Sequence, residues 1–265
     1  MTKAKILVID IETAPLELYA WGIWDVNASL DQIKTDWTIL SYAAKWLGKK
    51  KVYYADTGGR GVKKVRDDKP LMRGLRDLLD EADIVVAQNG KKFDMRKINA
   101  RLIQHGLKPP SPYRVIDTML IARKYFAFTS QKLKYTSEML GVPPKDEHEE
   151  FPGFKLWLAC LADVKAAWRV MKRYNRQDIL STEHVYLKLR PWMENHPNLG
   201  VYSMSTTPVC PNCASAQLVS NGMRVNKQQG AYRRVHCLSC GAWSREKVTL
   251  LPIEKRKSML VGAIA

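Results

Sequence analysis

Four carboxylates in three short segments carry the reactive chemistry of this chain: Asp10 and Glu12 in I-L-V-I-D-I-E-T, Asp94 in N-G-K-K-F-D, and Asp178 in Y-N-R-Q-D. On a strand, side chains two apart share a face, so Asp10 and Glu12 point the same way. Tyr174 and Asp178 are four apart and share a helix face. Two acids closing a buried apolar strand repel each other and resist desolvation unless a cation compensates them. The plain alternative is a strand that ends there with both acids solvated. Taken singly, Asp94 reads as a first-turn acid favoured by the helix dipole, and Asp178 as the polar edge of an amphipathic helix. Taken jointly, oxygen-only ligands select hard cations, Mg²⁺ or Mn²⁺. Two such ions about 3.5–4 Å apart, flanking a scissile phosphate, perform phosphodiester hydrolysis.

A second set of chemistry-bearing residues is Cys210-Pro-Asn-Cys213 with Cys237-Leu-Ser-Cys240-Gly. This C-x2-C…C-x2-C spacing presents four thiolates to one tetrahedral Zn²⁺, a structural site with no open position for substrate. So small a module has a poor core, and metal binding would supply its folding energy. His236 adjoins Cys237, but four cysteines already complete the shell. Cys160 lies in an apolar helical stretch and reads as a core thiol.

The elements that must position these residues follow from the apolar pattern. Residues 5–11, 38–46, 51–54, 84–87 and 114–117 read as strands, with Gly48 turning the second into the third. Helical spacing covers 71–79, the stretch from Asn89-Gly90 to about His105, 118–125, 132–140, and 161–189 as one or two segments. Strands first, then alternating strand and helix, indicate an α/β domain with a mixed sheet. Residues 195–208 lose periodicity and read as a linker. The expected organisation is a catalytic domain over 1–194, this linker, and a zinc ribbon over 209–265. The cluster Lys145-Asp-Glu-His-Glu-Glu150 reads as a solvated loop.

The chain has 265 residues, with 43 Lys plus Arg against 26 Asp plus Glu and a formal net charge of +17. Such an excess favours a polyanionic partner, nucleic acid above all. From Val209 onward the only acids are Glu246 and Glu254, against a series of basic residues from Arg224 to Lys257. Tyr232 and Trp243 interleave with those cations, a pattern suited to backbone contact and base stacking; the alternative is a docking module whose aromatics fill a small core. No apolar stretch reaches the roughly 18 residues that cross a membrane. The first apolar run contains Asp10 and Glu12 and is no signal peptide. A cytoplasmic setting, in a bacterium or phage-infected host, is expected.

The ordered triple D-I-E-T, N-G-K-K-F-D and Y-N-R-Q-D resembles the three motifs of the DEDD exonucleases, the DnaQ-like branch of the ribonuclease H-like superfamily. The tyrosine four residues before the last aspartate resembles the DEDDy subclass. The segments V-I-D-T-M-L-I-A-R and L-K-Y-T-S-E-M-L-G are similar to those of YprB-like bacterial and phage relatives. The likeness runs from residue 5 to about 192. It implies a ribonuclease H-like α/β fold, with a mixed five-stranded sheet flanked by helices. It further implies that Asp10, Glu12 and Asp178 bind one metal ion, with Asp10 bridging to a second that Asp94 holds through water. Tyr174 would orient the attacking water. Cleavage would proceed from 3′ ends and release nucleoside monophosphates. Asn89 and Phe93 could shape the terminal-nucleotide pocket and Lys91 or Lys92 meet phosphates, although core packing is the favoured reading of Phe93 and a solvated loop fits the lysines equally well. Asp117 would support the site. Single-stranded or frayed DNA is the expected substrate. An exoribonuclease, a structure-specific endonuclease, or an inactive binding protein are the alternatives on the same fold.

Overall fold

The computed structural model describes residues 3–142, 150–226 and 230–260. Residues 145–149 of the acidic and histidine cluster fall outside the described residues. The chain divides into two units: Lys5–Leu187, and Met1–Ala4 with Lys188–Ala265.

The larger unit begins with β1 (Ile6–Thr13), whose residues 6–9 are wholly apolar and buried, as a strand covered on both faces must be. Next come the short pair β2 (Glu17–Leu18) and β3 (Ile33–Thr35), then β4 (Ile39–Trp46) and β5 (Val52–Asp56). Helix α1 (Lys69–Asp80) leads into β6 (Ile84–Ala87), α2 (Asp94–Gln104), β7 (Arg114–Asp117) and α3 (Thr118–Tyr125). Helices α4 (Leu133–Met139), α5 (Lys155–Leu161) and α6 (Lys165–Leu189) follow. The helical pattern expected over 161–189 is the single helix α6, and α5 precedes it, parted from it by a turn with Asp163 in the left-handed region at φ 54°.

The sheet order is β5-β4-β1-β6-β7. β1 pairs antiparallel with β4 and parallel with β6, so the sheet is mixed and β1 lies at its centre. This is the expected five-stranded ribonuclease H-like α/β arrangement. One face packs Leu7, Ile9 and Ile11 against Leu75 and Leu79 of α1 and Ile98 and Leu102 of α2. The other face lies toward a cluster of Leu40, Leu156, Cys160, Trp168 and Met171 from β4, α5 and α6. Cys160 is fully buried, and burial pushes its thiol up to about 12, as expected of a core thiol.

A buried carboxylate ties α1 and α2 to this sheet. Asp68 precedes α1 and accepts from Ile39 N (2.9 Å) and from both Arg101 Nε (2.7 Å) and Nη2 (2.6 Å). Burial alone would raise its pKa, but these bonds and His105 outweigh burial and hold it below 3.8. Between β2 and β3 the chain makes an excursion, tied at its base by Tyr19 N to Gln32 O (2.9 Å) and by Glu17 to Arg66 (2.6 Å). It carries Trp21 at 104% exposure and Trp24 at 84%.

The smaller unit holds a three-stranded antiparallel sheet ordered β10-β9-β8, from β8 (Leu218–Asn226), β9 (Gly230–Cys237) and β10 (Trp243–Arg245), followed by α7 (Ile253–Lys257). Within 195–208 a 3-10 turn, Leu199–Tyr202, buries Leu199, whose N–H bonds Pro211 O at 2.7 Å. A core cluster of this unit is Cys210, Cys237 and Ala242, with Cys213, Leu218 and Cys240 packed against it. Thiols therefore occupy the place that large apolar side chains fill in the larger unit.

Candidate functional site

Asp10 and Glu12 leave β1 on the side opposite to buried Ile9 and Ile11, through strand alternation. Asp178 comes from α6. Carboxylate oxygens of Asp10, Glu12 and Asp178 lie within 4.8 Å of one another. The donor set is all carboxylate oxygen, which suits a hard divalent cation and lacks the sulfur or imidazole that would favour zinc or copper.

Tyr174, one turn before Asp178, packs edge-on against Trp157 with ring centroids 6.0 Å apart. Burial pushes its phenol well above the ordinary value. The charges of Asp178, Glu12 and Asp10, and a hydrogen bond with Asp178, push it further. It therefore stays an uncharged hydroxyl beside three acids. Asn175, which motif reasoning passes over, is fully buried. Its Nδ2 donates to Asp10 Oδ2 at 2.5 Å, and its Oδ1 accepts from Ser41 Oγ at 3.2 Å. The readable signal was an asparagine three residues from Asp178, hence on the same helix face.

Asp94 lies outside the three-carboxylate cluster. It opens α2, is buried, and its Oδ1 accepts from Ile11 N at 3.1 Å. The parallel ladder between β1 and β6 ends at Val8 and Val86, so β1 outruns its neighbour and Asp94 takes the next N–H. Burial raises its pKa to about 7. The Ile11 N–H works against that rise, while the Asp117 charge adds to it.

The loop that delivers Asp94 is held by Asp117. That buried carboxylate accepts from Asn89 N (3.0 Å) and Lys91 N (3.1 Å), and caps α3 through Met119 N and Leu120 N. Asn89 sits in the left-handed region at φ 58°, which asparagine tolerates. At Gly90 an added Cβ would lie 2.4 Å from Ala87 Cβ, so the backbone demands glycine. Lys91, Lys92 and Phe93 are all exposed, so Phe93 is not a core residue. Asn89, Lys92 and Phe93 line a cleft of about 360 Å³ together with Met119, Leu120 and Arg123 of α3. Those α3 residues carry no signal in the sequence beyond ordinary helical spacing.

In the smaller unit the four sulfurs of Cys210, Cys213, Cys237 and Cys240 lie within 4.8 Å of one another. The separations are 3.7 Å for Cys210–Cys240 and 3.6 Å for Cys213–Cys237. These are too long for disulfides. Four thiolates each about 2.3 Å from a tetrahedral zinc would stand ~3.8 Å apart, so the quartet fits that ion. Each C-x2-C pair is a matching turn: Ala214 N bonds Cys210 O (2.8 Å) and Gly241 N bonds Cys237 O (2.9 Å). Both turns close with a left-handed residue, Ala214 at φ 58° and Gly241 at 79°. Burial pushes the Cys210 thiol up. Burial likewise pushes Cys240 up to about 11, while at Cys237 the N–H groups of Cys240 and Ser239, with bonds from the Cys213 and Cys210 thiols, outweigh burial and bring it down to about 7. His236 lies outside the quartet, with its ring stacked on Trp243 at 4.6 Å.

A central mixed sheet bearing paired acids, faced by a helix that returns a third, is the frame of ribonuclease H-like nucleases. Residues 7–190 match the family RNase_H_2, described as the RNase_H superfamily, and the chain belongs to that superfamily. It is 31% identical over 139 residues to a DNA polymerase III PolC-type protein of Ureaplasma parvum serovar 3. That match covers 51% of this chain but 9% of the relative, so the chain corresponds to a small fraction of that protein. Among solved structures, the family B DNA polymerase from the hyperthermophilic archaeon Pyrobaculum calidifontis shares the fold. It aligns with a TM-score of 0.54 and 19% identity, over 72% of this chain and 25% of that one. The mixed sheet and the acidic cluster both agree with membership of that superfamily. Among the described residues no helix is long and apolar enough to cross a membrane.

Proposed function

We propose that the chain is a metal-dependent 3′–5′ exonuclease of the DEDDy type, acting on single-stranded or frayed DNA and releasing nucleoside monophosphates. The observation that carries this reading is the grouping of Asp10, Glu12 and Asp178 within 4.8 Å, beside the uncharged hydroxyl of Tyr174. Asp10, Glu12 and Asp178 would hold one Mg²⁺ or Mn²⁺, and Asp94, with Asp10, a second. Bound there, the ions supply activation of water near neutral pH and neutralisation of charge on the leaving oxygen. The chain's own groups do the rest. Tyr174 orients the water by its hydroxyl. Asn175 fixes the rotamer of Asp10. The cleft beside Phe93 takes the terminal nucleotide, with Asn89 shaping it and Lys91 or Lys92 meeting phosphate. Cys210, Cys213, Cys237 and Cys240 hold one structural Zn²⁺, which makes the smaller unit a zinc ribbon.

Digestion of 5′-labelled DNA and RNA oligonucleotides and of branched DNA, with Mg²⁺, Mn²⁺ or EDTA, tests the reading. The expected result is a ladder shortening from the 3′ end of single-stranded DNA, abolished by EDTA. Asp10→Ala and Asp178→Ala should lose cleavage and keep binding. Near wild-type cutting by either variant would refute the metal assignment, and internal cuts at junctions would replace the exonuclease with an endonuclease.

A further inference from the structure

The sheet of the smaller unit sorts its side chains by alternation. On β9, Ala231, Val235 and Cys237 are buried, so Tyr232, Arg234 and His236 stand on the opposite face. In the register, Trp243 lies across from His236, Arg245 across from Arg234, and Arg224 across from Tyr232. Residues directly opposed in an antiparallel pair share a face. One face therefore carries Arg224, Tyr232, Arg234, His236, Trp243 and Arg245.

Each of the two larger rings is covered by a cation. The Arg245 guanidinium lies 3.9 Å over the Tyr232 ring, and that of Arg234 lies 4.8 Å over Trp243, whose ring also stacks on His236. Arg234 is tethered further, donating from Nε to Asn221 O at 2.9 Å and from Nη2 to Asn221 Oδ1 at 3.3 Å. The nearest acid in sequence, Glu246, pairs instead with Arg233 of the other face at 3.5 Å. Among the described residues, none of Arg224, Arg234 and Arg245 is in a salt bridge. Arg234 and Arg245 stand directly opposite, an arrangement of like charges that disfavours the strand pairing unless an anion enters between them.

We propose that this face is a track for the phosphodiester backbone of nucleic acid. Arg224, Arg234 and Arg245 contact phosphates, while Tyr232 and Trp243 hold the guanidiniums rather than offering open stacking platforms. A guanidinium held on a ring loses less freedom on binding than a free side chain, and its planar fork matches phosphate oxygens. Recognition of this kind depends on salt and not on base identity. The inference goes beyond the nuclease reading and does not depend on it, because binding here needs no acidic centre.

The test is fluorescence anisotropy of the full chain with labelled 20-residue DNA and RNA strands, across a KCl series without divalent cation or chelator. Arg234→Gln and Arg245→Gln should each weaken binding several-fold on DNA and RNA alike and reduce the slope of log Kd against log salt by about one. Lys255→Gln, the same loss of charge on α7, should leave the slope unchanged. Trp243→Leu should weaken binding and Trp243→Phe restore part of it. Zinc content and Tm report that the variants are folded. An unchanged slope in a folded Arg234→Gln/Arg245→Gln protein would overturn the proposal. A loss confined to one base sequence would do the same, in favour of base readout.

Discussion

At the scale of single residues, Asn175 decides how Asp10 points. Its amide is closed to water and bonded on both sides, to Asp10 and to Ser41. Asn175→Ala leaves buried Ser41 and half-buried Asp10 without that partner, which costs about 1–3 kcal/mol. Thermal melts should show a lower Tm without metal and also a smaller rise on adding Mn²⁺. A lower Tm with an undiminished Mn²⁺ response would reduce Asn175 to a packing residue. Asp94 yields a prediction in pH. Its folded pKa of about 7 lies above the unfolded value of 3.8, so the folded chain keeps a proton that the unfolded chain has already released. Stability from this group is fully present below about pH 4 and is lost as pH rises toward about 7. The metal-free protein should therefore lose more Tm between pH 5 and pH 8 than Asp94→Asn does. Parallel pH profiles for the two would contradict the burial argument. Spacing makes the meeting of Asp10, Glu12 and Asp178 legible, since i,i+2 on a strand and one face of a helix leave little freedom. The Ile11–Asp94 bond is not legible, because it depends on where β6 stops pairing with β1, whereas Asn175 shows only as a helix-face neighbour of Asp178.

At the scale of elements, short buried runs were the clearest text. Residues 84–87 and 114–117 are strands at the bounds their apolar pattern predicts, because each is a few residues long between polar breaks. The excursion between β2 and β3 has no reading in the apolar pattern. Its Ile23 and Leu30 are exposed, since hydrophobicity says nothing of whether the chain turns back toward the sheet. Asp117 joins elements that sequence treats separately: it caps α3 and clamps the β6–α2 loop with the same carboxylate. Asp117→Ala should cost about 1–3 kcal/mol, the loss of a helix cap plus part-buried N–H groups left without that acceptor. Hydrogen exchange at Asn89 and Lys91 should rise along with it. Protection at those amides equal to wild type would place their restraint elsewhere.

At the scale of the whole molecule, the two units rest on different physics. The larger has clusters of apolar side chains on its sheet and helices, whereas a core cluster of the smaller is built largely from its four cysteines. Where thiols replace hydrocarbon, metal binding becomes folding energy. A zinc chelator should abolish the circular-dichroism and exchange signature of residues 209–260 and leave the α/β unit melting as before. Persistence of the smaller unit after zinc is stripped would show that its apolar contacts suffice. The excursion bearing Trp21 and Trp24 has a practical consequence for studying this protein. Both indoles stand almost wholly in water, so among the chain's eight tryptophans they should emit to the red and be open to acrylamide. Whatever settles over that excursion will announce itself as a blue shift and lost quenching, and an unlabelled chain thus carries an optical sensor only nine residues past Glu12 in sequence at its nearer ring.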